Sequence, residues 1–174
     1  MNEILIITGA CGVGKSTVAK AWAKRKSGVA IETDYFTEWI YNDNFERFTQ
    51  SEERLAANLA FVMAKEYLEL KMPVAIEGVW SPYGFNLLRT RFEKEVINSS
   101  LRFVWLHCEI NENHRRDELR IPEDQMKDRV DIVHGEQSSH RWDHWVYPLD
   151  TTHLSISETV NHTEFIAPMI FDQK

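Results

Sequence analysis

A short stretch near the amino terminus carries the clearest chemistry in this sequence. Residues 9–17 read Gly-Ala-Cys-Gly-Val-Gly-Lys-Ser-Thr, a complete phosphate loop of the pattern G-x-x-x-x-G-K-[ST]. In such a loop the glycines let backbone N–H groups face the phosphates, Lys15 reaches the β and γ oxygens, and the Ser16 hydroxyl is a ligand for Mg²⁺. The motif therefore predicts a site for a nucleoside triphosphate and its magnesium ion.

Every residue of this loop is a predicted contact of the nucleotide. The set is Gly9, Ala10, Cys11, Gly12, Val13, Gly14, Lys15, Ser16 and Thr17. The context agrees, because the apolar run 4–7 is typical of a buried parallel strand and the apolar residues after the loop recur at helical spacing. A helix that begins at the loop adds the positive end of its dipole to the site.

Carboxylates follow the next two predicted strands, at the edge where wound sheets bind ligands. Asp34 is the candidate for orienting an acceptor hydroxyl and taking its proton, with a helix N-cap as the structural alternative. Glu77 and Glu32 are weaker candidates for supporting the metal, and structural hydrogen bonds explain them equally well. Trp39 and Trp80 are compatible both with an acceptor pocket and with the core.

The elements that position these residues can be predicted from further apolar runs. Strands are expected at 4–7, 29–32, 73–78, 101–107 and, more weakly, 145–149. Because helices alternate with them, the pattern predicts an α/β fold of three layers, with a five-stranded parallel sheet flanked by helices. Pro148 suits an edge strand. The length of 174 residues predicts a single domain over 1–174.

Capping patterns mark where several helices begin. Thr49 and Glu52 have capping-box spacing before a long helix. Its predicted buried face consists of the large apolar residues Leu55, Leu59, Val62, Met63, Tyr67 and Leu70. A second helix is predicted to start at Ser81-Pro82, and the last one at Ser155.

The segment 111–144 differs from the rest because it is dense in charge and poor in apolar residues. It is interpreted as an excursion from the domain rather than as a second domain. Two forms are open: a solvated helical hairpin, and a mobile lid whose arginines close over the phosphates. The position after the fourth predicted strand favours the lid. Arg129 is a candidate for a further lid arginine, but a surface ion pair is the favoured interpretation.

The chain resembles the small-molecule kinase branch of the P-loop fold, which includes shikimate kinase, gluconate kinase and chloramphenicol phosphotransferase. The resemblance rests on Gly9 to Thr17, Asp34, Ile76-Glu77-Gly78, Arg116-x-x-x-Arg120 and Leu149-Asp150-Thr151. It implies that Asp34 contacts the acceptor hydroxyl and that Arg116 and Arg120 embrace the phosphates or stack near adenine. With Lys15, these are the predicted catalytic residues.

The same resemblance implies a function with ATP and Mg²⁺ as cofactors. The chain would move the γ-phosphoryl group of ATP to a hydroxyl of a small molecule, such as a sugar acid like gluconate or an antibiotic. Departures after Asp34 and after Gly78 leave the acceptor open. The alternatives are a P-loop ATPase and a nucleotide-binding interaction module without kinase activity.

Composition and charge narrow the partners and the location. The formal net charge of −7 disfavours nucleic acid, which requires a basic surface. A signal peptide and a membrane span are not expected, because the first strand comes at once and no apolar stretch is long enough. A disulfide between Cys11 and Cys108 is not expected either. We expect a cytoplasmic protein, a monomer or weak homodimer, with a small-molecule acceptor as its partner.

Overall fold

Strands and helices alternate along the chain, as the apolar runs predict. The structure is a computed structural model and describes residues 2–96 and 98–171, so the ends of the predicted domain 1–174 lie outside it. The strands are β1 (Asn2–Gly9), β2 (Val29–Glu32), β3 (Val74–Glu77), β4 (Ser99–His107), β5 (Val146–Asp150) and β6 (Met169–Phe171). The helices are α1 (Lys15–Lys26), α2 (Tyr35–Glu38), α3 (Gln50–Glu69), α4 (Pro82–Glu95), α5 (Ile110–Glu118), α6 (Arg129–Ser139) and α7 (Ile156–Phe165), with a 3-10 helix at Pro122–Asp124.

The first five strands form a parallel sheet in the order β2-β3-β1-β4-β5, which confirms the predicted fold class. Strand β5 is an edge strand, so Pro148 lies within it, beside Trp105 of β4. Strand β6 pairs antiparallel with residues 99–101 of β4 and was not predicted. Its three residues are too short a run to show a strand period.

Strand β1 supplies both halves of the core because its side chains alternate between the faces of the sheet. Ile4 and Ile6 lie on the face covered by α3 and α4, whereas Leu5 and Ile7 lie on the face covered by α1 and α7. All four are fully buried. The molecule therefore has three layers, with helices on both faces of the sheet.

Helix α3 buries a different face from the one that we predicted. Its cap is as expected, since the Thr49 hydroxyl accepts a hydrogen bond from the Glu52 N–H. The buried residues are Ala56, Ala57, Ala60, Phe61, Ala64 and Leu68. Leu59 and Val62, in contrast, are exposed. The prediction was therefore wrong for Leu59, Val62 and Leu70, whereas Met63 and Tyr67 are partly buried and pack against the core. It weighted large apolar residues, whereas small alanines let this helix lie close to its neighbours.

The other predicted helix starts are confirmed. Helix α4 begins at Pro82 after the Ser81 cap, and α7 has a complete capping box between Ser155 and Glu158. Within the described ranges, the structure has no helix with the length and apolar character needed to cross a bilayer.

The buried face of α3 can be tested with two substitutions. Ala60→Leu should lower the free energy of unfolding by about 1–3 kcal/mol, because a larger side chain overpacks a fully buried position. Val62→Ala should change it by less than about 0.5 kcal/mol, because Val62 is 53% exposed. Urea unfolding measures both, and a larger loss for Val62→Ala would contradict the assignment.

Candidate functional site

The predicted P loop connects the carboxyl end of β1 to the start of α1, and its glycines meet very different surroundings. Gly12 and Gly14 have φ angles of +84° and +97°, which favour glycine. A Cβ at Gly12 would lie 2.9 Å from the Asn113 carbonyl oxygen, whereas a Cβ at Gly14 would meet nothing within 4 Å. The loop is therefore packed on one side and open at Gly14, the residue that precedes α1. Such an opening at a helix N-terminus suits a phosphate group.

Two predicted side chains of the loop already make hydrogen bonds within the protein. Lys15 Nζ donates a hydrogen bond to the Ala10 carbonyl oxygen at 3.1 Å, which folds the ammonium group across the loop. Ser16 Oγ donates to Glu77 Oε1 at 2.9 Å. The hydroxyl predicted to bind Mg²⁺ therefore lies against a carboxylate that the sequence marked only as a weaker candidate.

Glu77 is a buried carboxylate that lacks a full set of partners. It is 1% exposed, and its Oε2 atom has no hydrogen-bond partner among the described residues. Burial raises the pKa of Glu77 above its ordinary value, the charge of Lys15 acts in the opposite direction, and Asp34 raises it further. An unpartnered buried oxygen beside a hydroxyl is chemically suited to a bound cation.

The second glutamate candidate has a different environment. Glu32 forms an ion pair with Lys20 Nζ at 2.8 Å, and this contact raises the pKa of Lys20. The two glutamates end identical tetrapeptides, Val-Ala-Ile-Glu, in β2 and β3. Only β3 lies next to β1, where Glu77 pairs in register with Ile7. Strand order therefore distinguishes Glu77, a candidate metal residue, from Glu32, a structural one. The sequence does not show this order.

The residues at this edge fit a magnesium ion. Ser16 and Glu77 offer oxygen atoms, and Mg²⁺ takes its remaining ligands from phosphates and water. Among the described residues, no group of three or more His, Cys, Asp or Glu side chains could hold an ion without such help. An ion held by Ser16 and Glu77 would need further ligands, such as phosphate oxygens and water.

Asp34 lies at the same edge of the sheet, directly before α2. Its side chain makes no capping hydrogen bond to that helix, so the N-cap alternative is wrong. The Thr37 hydroxyl instead donates to the backbone carbonyl oxygen of Asp34 at 3.1 Å. The carboxylate is exposed, and it is close enough to Glu77 for its charge to raise the pKa of that group. Asp34 therefore remains a candidate for the acceptor.

The two predicted arginines lie in different surroundings. Arg116 Nη1 donates to Thr151 Oγ1 at 3.0 Å, and its Nη2 donates to the Thr151 carbonyl oxygen at 2.5 Å. Arg120 lies where α5 ends and makes longer contacts, 3.7 Å to the Asp117 carboxylate and 3.4 Å to the Asp124 carbonyl oxygen. Arg116 is therefore held by the protein, whereas Arg120 is partly exposed and loosely held.

The charged segment 111–144 is attached to the body at both of its helices. Asn113 of α5 is fully buried, and Val130 and Val133 of α6 belong to the core on the α1 side of the sheet. Gln137 Nε2 donates to the Trp80 carbonyl oxygen at 3.0 Å. A solvated hairpin does not describe these helices. The stretch between them, 119–128, has no buried residue, and a mobile lid would be confined to it.

Aromatic residues near the strand ends divide between core and surface. Trp80 is 1% exposed and belongs to the core, whereas Trp39 is 64% exposed. The guanidinium of Arg129 stacks over the Phe48 ring at 4.1 Å, and the described residues do not show the surface ion pair that we predicted for it. The sequence could not distinguish these cases, because burial depends on which elements come together.

Similar folds occur among solved structures of kinases. A sugar kinase from Janibacter sp. HTCC2649 has a TM-score of 0.72 and 12% identity, with 95% of this chain and 94% of that chain covered. A gluconokinase from Sinorhizobium meliloti 1021 has a TM-score of 0.65 and 18% identity, with 92% and 89% covered. APS kinase from Mycobacterium tuberculosis, in complex with AMPPNP and APS, has a TM-score of 0.61 and 14% identity, with 95% and 96% covered.

These comparisons concern the fold. No protein-family model matches the sequence, and no curated protein sequence matches it either. The fold is that of the P-loop kinases, as the resemblance in sequence implied.

The raised pKa of Glu77 predicts a conflict between stability and metal binding. A carboxyl group whose pKa is raised by folding contributes most to the stability of the folded protein at a pH below its ordinary pKa. That contribution to stability is lost as the pH rises through the raised pKa. Glu77→Gln should therefore raise the thermal midpoint at pH 7, and the gain should shrink as the pH falls. The same substitution should weaken Mg²⁺-dependent nucleotide binding at least roughly tenfold.

Glu32→Gln is the matched control for Glu77→Gln. Glu32 ends an identical tetrapeptide, but Glu32→Gln removes an ion pair with Lys20. The variant should therefore not stabilise the protein and should leave Mg²⁺-dependent nucleotide binding unchanged. Calorimetric melting between pH 4 and pH 8, with nucleotide titrations at two Mg²⁺ concentrations, measures both effects. Stabilisation by both variants alike would show that the environment of Glu77 is not special.

Lid movement should be limited to the exposed stretch of the charged segment. With Mg²⁺ and a non-hydrolysable ATP analogue, hydrogen exchange should slow in 119–128 and stay unchanged in α6, which is already anchored by Gln137. Mass spectrometry of peptides from both stretches measures this. Equal slowing in both, or in neither, would contradict a lid of this extent.

Proposed function

We propose that this protein is a phosphotransferase that uses ATP and Mg²⁺ to phosphorylate a hydroxyl group of a small molecule. The observation that carries the proposal is the contact between Ser16 Oγ and the buried Glu77, whose second carboxylate oxygen is unpaired. Lys15 and Asp34 act on the same carboxylate through their charges. A cation, an oxygen site for a metal and a second carboxylate thus meet at one edge, as phosphoryl transfer requires.

Each residue then has a distinct role in the proposed reaction. The N–H groups of residues 9–17 hold the phosphates, and Lys15 stabilises the charge that develops on the transferring group. Ser16 would ligate Mg²⁺ and Glu77 would support it; when bound, the ion would neutralise phosphate charge. Asp34 orients the acceptor hydroxyl and takes its proton, since phosphoryl transfer itself requires mainly positioning.

The roles proposed for the two arginines follow the resemblance and are refined by where each arginine lies in the structure. Arg120 lies within the exposed stretch 119–128, and we assign it to the phosphates in the closed state. Arg116 lies against Thr151, which follows β5. A loosely held arginine can reach a ligand at little cost, whereas Arg116 must first break several hydrogen bonds.

The acceptor is proposed to be a sugar acid or sugar, or a hydroxylated antibiotic. The names sugar kinase and gluconokinase on two similar structures support the first class. The net charge of −7 supports a partner other than nucleic acid, and we propose that the protein acts in the cytoplasm, away from membranes, as a monomer or weak homodimer.

A product-based assay tests the function. The protein is mixed with Mg²⁺ and ATP and a panel of sugar acids, sugars, nucleosides and hydroxylated antibiotics, and the acceptors are checked by mass spectrometry for an added phosphoryl group. Lys15→Ala is the control and should abolish turnover. ADP release that no acceptor stimulates would favour an ATPase, and tight binding of ATP without turnover would favour an interaction module.

Asp34→Asn tests the proposed proton acceptor. With the acceptor that the panel identifies, kcat should fall by about 10²–10⁴-fold, while the Kd for ATP stays within about twofold, because the change removes a charge and keeps the shape. Glu38→Gln removes another exposed carboxylate of the same segment and should leave kcat unchanged. Wild-type turnover by Asp34→Asn would refute the role.

A further inference from the structure

Two carbonyl oxygens of the P loop are bonded to side chains of α5. Asn113 Nδ2 donates to the Cys11 carbonyl oxygen at 3.0 Å, and Arg116 Nη1 donates to the Val13 carbonyl oxygen at 3.3 Å. In a planar trans peptide, the C=O of one residue and the N–H of the next point in opposite directions. These contacts therefore also set the directions of the Gly12 and Gly14 N–H groups, away from α5.

Asn113 is held in one orientation by a second contact. It is fully buried, and its Oδ1 atom accepts a hydrogen bond from the Cys108 thiol. Burial raises the pKa of Cys108 to about 11, so this group remains a thiol and can donate. The amide nitrogen is then the atom that faces Cys11. The side-chain contacts described for Asn113 are therefore with Cys11 of the loop and with Cys108.

Arg116 is braced in a similar way on three sides. Besides Val13 and Thr151, it donates from Nε to Glu112 Oε1 at 2.7 Å. Hydrogen bonds from Arg115 and Arg116 lower the pKa of Glu112 to about 2, so the ion pair persists at neutral pH. Thr151 is itself anchored, because its backbone N–H donates to the His107 carbonyl oxygen of β4 at 2.8 Å. The guanidinium thus links the loop to the end of the sheet.

We propose that Asn113 and Arg116 are positioning residues that hold the P loop in its anion-binding conformation before a nucleotide arrives. Gly12 and Gly14 give the loop freedom to rotate its peptide groups, and a rotated group would present a carbonyl oxygen to the phosphate. Bonding those oxygens to α5 prevents this and avoids an ordering cost on binding. This inference rests on the proposed nucleotide site, and it gives Arg116 a role through the loop rather than on the ligand.

A ligand that lacks a nucleobase distinguishes a role through the P loop from direct contact with adenine. Titration calorimetry measures the Kd of Mg²⁺-tripolyphosphate and of Mg²⁺-ATP for the wild type, Arg116→Lys, Asn113→Ala and Arg115→Lys. Arg116→Lys keeps the charge but cannot reach all its acceptors, so both ligands should weaken by the same factor, roughly tenfold. Asn113→Ala should do the same. Arg115 shares Glu112 but makes no described contact with the loop, so Arg115→Lys should match the wild type.

The contrary outcomes are distinct. If Arg116→Lys weakens the binding of ATP alone, Arg116 contacts the base. If Arg116→Lys leaves the binding of both ligands unchanged, Arg116 contributes only a positive charge near the phosphates. Either result overturns the inference. Melting temperatures identify a variant that is merely unstable, and Arg116→Lys decides the question if Asn113→Ala does not fold. Failure of the wild type to bind either ligand would instead refute the proposed function.

Hydrogen exchange in the free protein tests the same inference without any ligand. Exchange of the amides in residues 11–15 should be roughly tenfold faster in Arg116→Lys than in the wild type and Arg115→Lys, because the loop gains freedom when its clamp is lost. Exchange in α1 should remain unchanged, which separates local loosening from global destabilisation. Equal exchange of residues 11–15 in all three proteins would overturn the proposal.

Discussion

The parallel pairing of β1 on both of its sides is the constraint on which the site depends. Strand β3 on one side and β4 on the other hold β1 in the middle of the sheet, where Ile4 to Ile7 are fully buried. The loop after β1 therefore begins beside Glu77 and Leu106. A Cβ at Gly9 would lie 2.2 Å from the Leu106 carbonyl oxygen, so only glycine lets the chain leave the sheet this closely to β4.

The position of Glu77 shows stability and the proposed function acting against each other. A buried carboxylate with one unpaired oxygen is unfavourable in a folded protein, and Lys15 offsets only part of the effect on its pKa. An arrangement of this kind is expected where a ligand supplies the missing partner. The loop beside it is held by contacts from α5, so the groups that would meet phosphate and metal are positioned by ordinary hydrogen bonds within the fold.

The limits of prediction are visible in particular elements. Caps at Thr49, Ser81 and Ser155 were predictable, because a capping residue acts on N–H groups within a few positions of itself. The buried face of α3 was not, because it depends on how closely the helix approaches its neighbours. The segment 111–144 has a charged composition, yet both of its helices are anchored by a few buried residues that composition does not reveal.

Strands β2 and β3 show most clearly how the contributions divide. The sequence by itself determined the P loop, the strand runs and the presence of an acidic residue at the ends of β2 and β3, because these are local patterns. It could not distinguish Glu32 from Glu77, since both end the tetrapeptide Val-Ala-Ile-Glu. Only the tertiary structure decided between them: β2 is at the edge, where Glu32 meets Lys20, whereas β3 lies beside β1, where Glu77 meets Ser16. The physical reason is that strand order arises from contacts between distant parts of the chain, which no local pattern encodes.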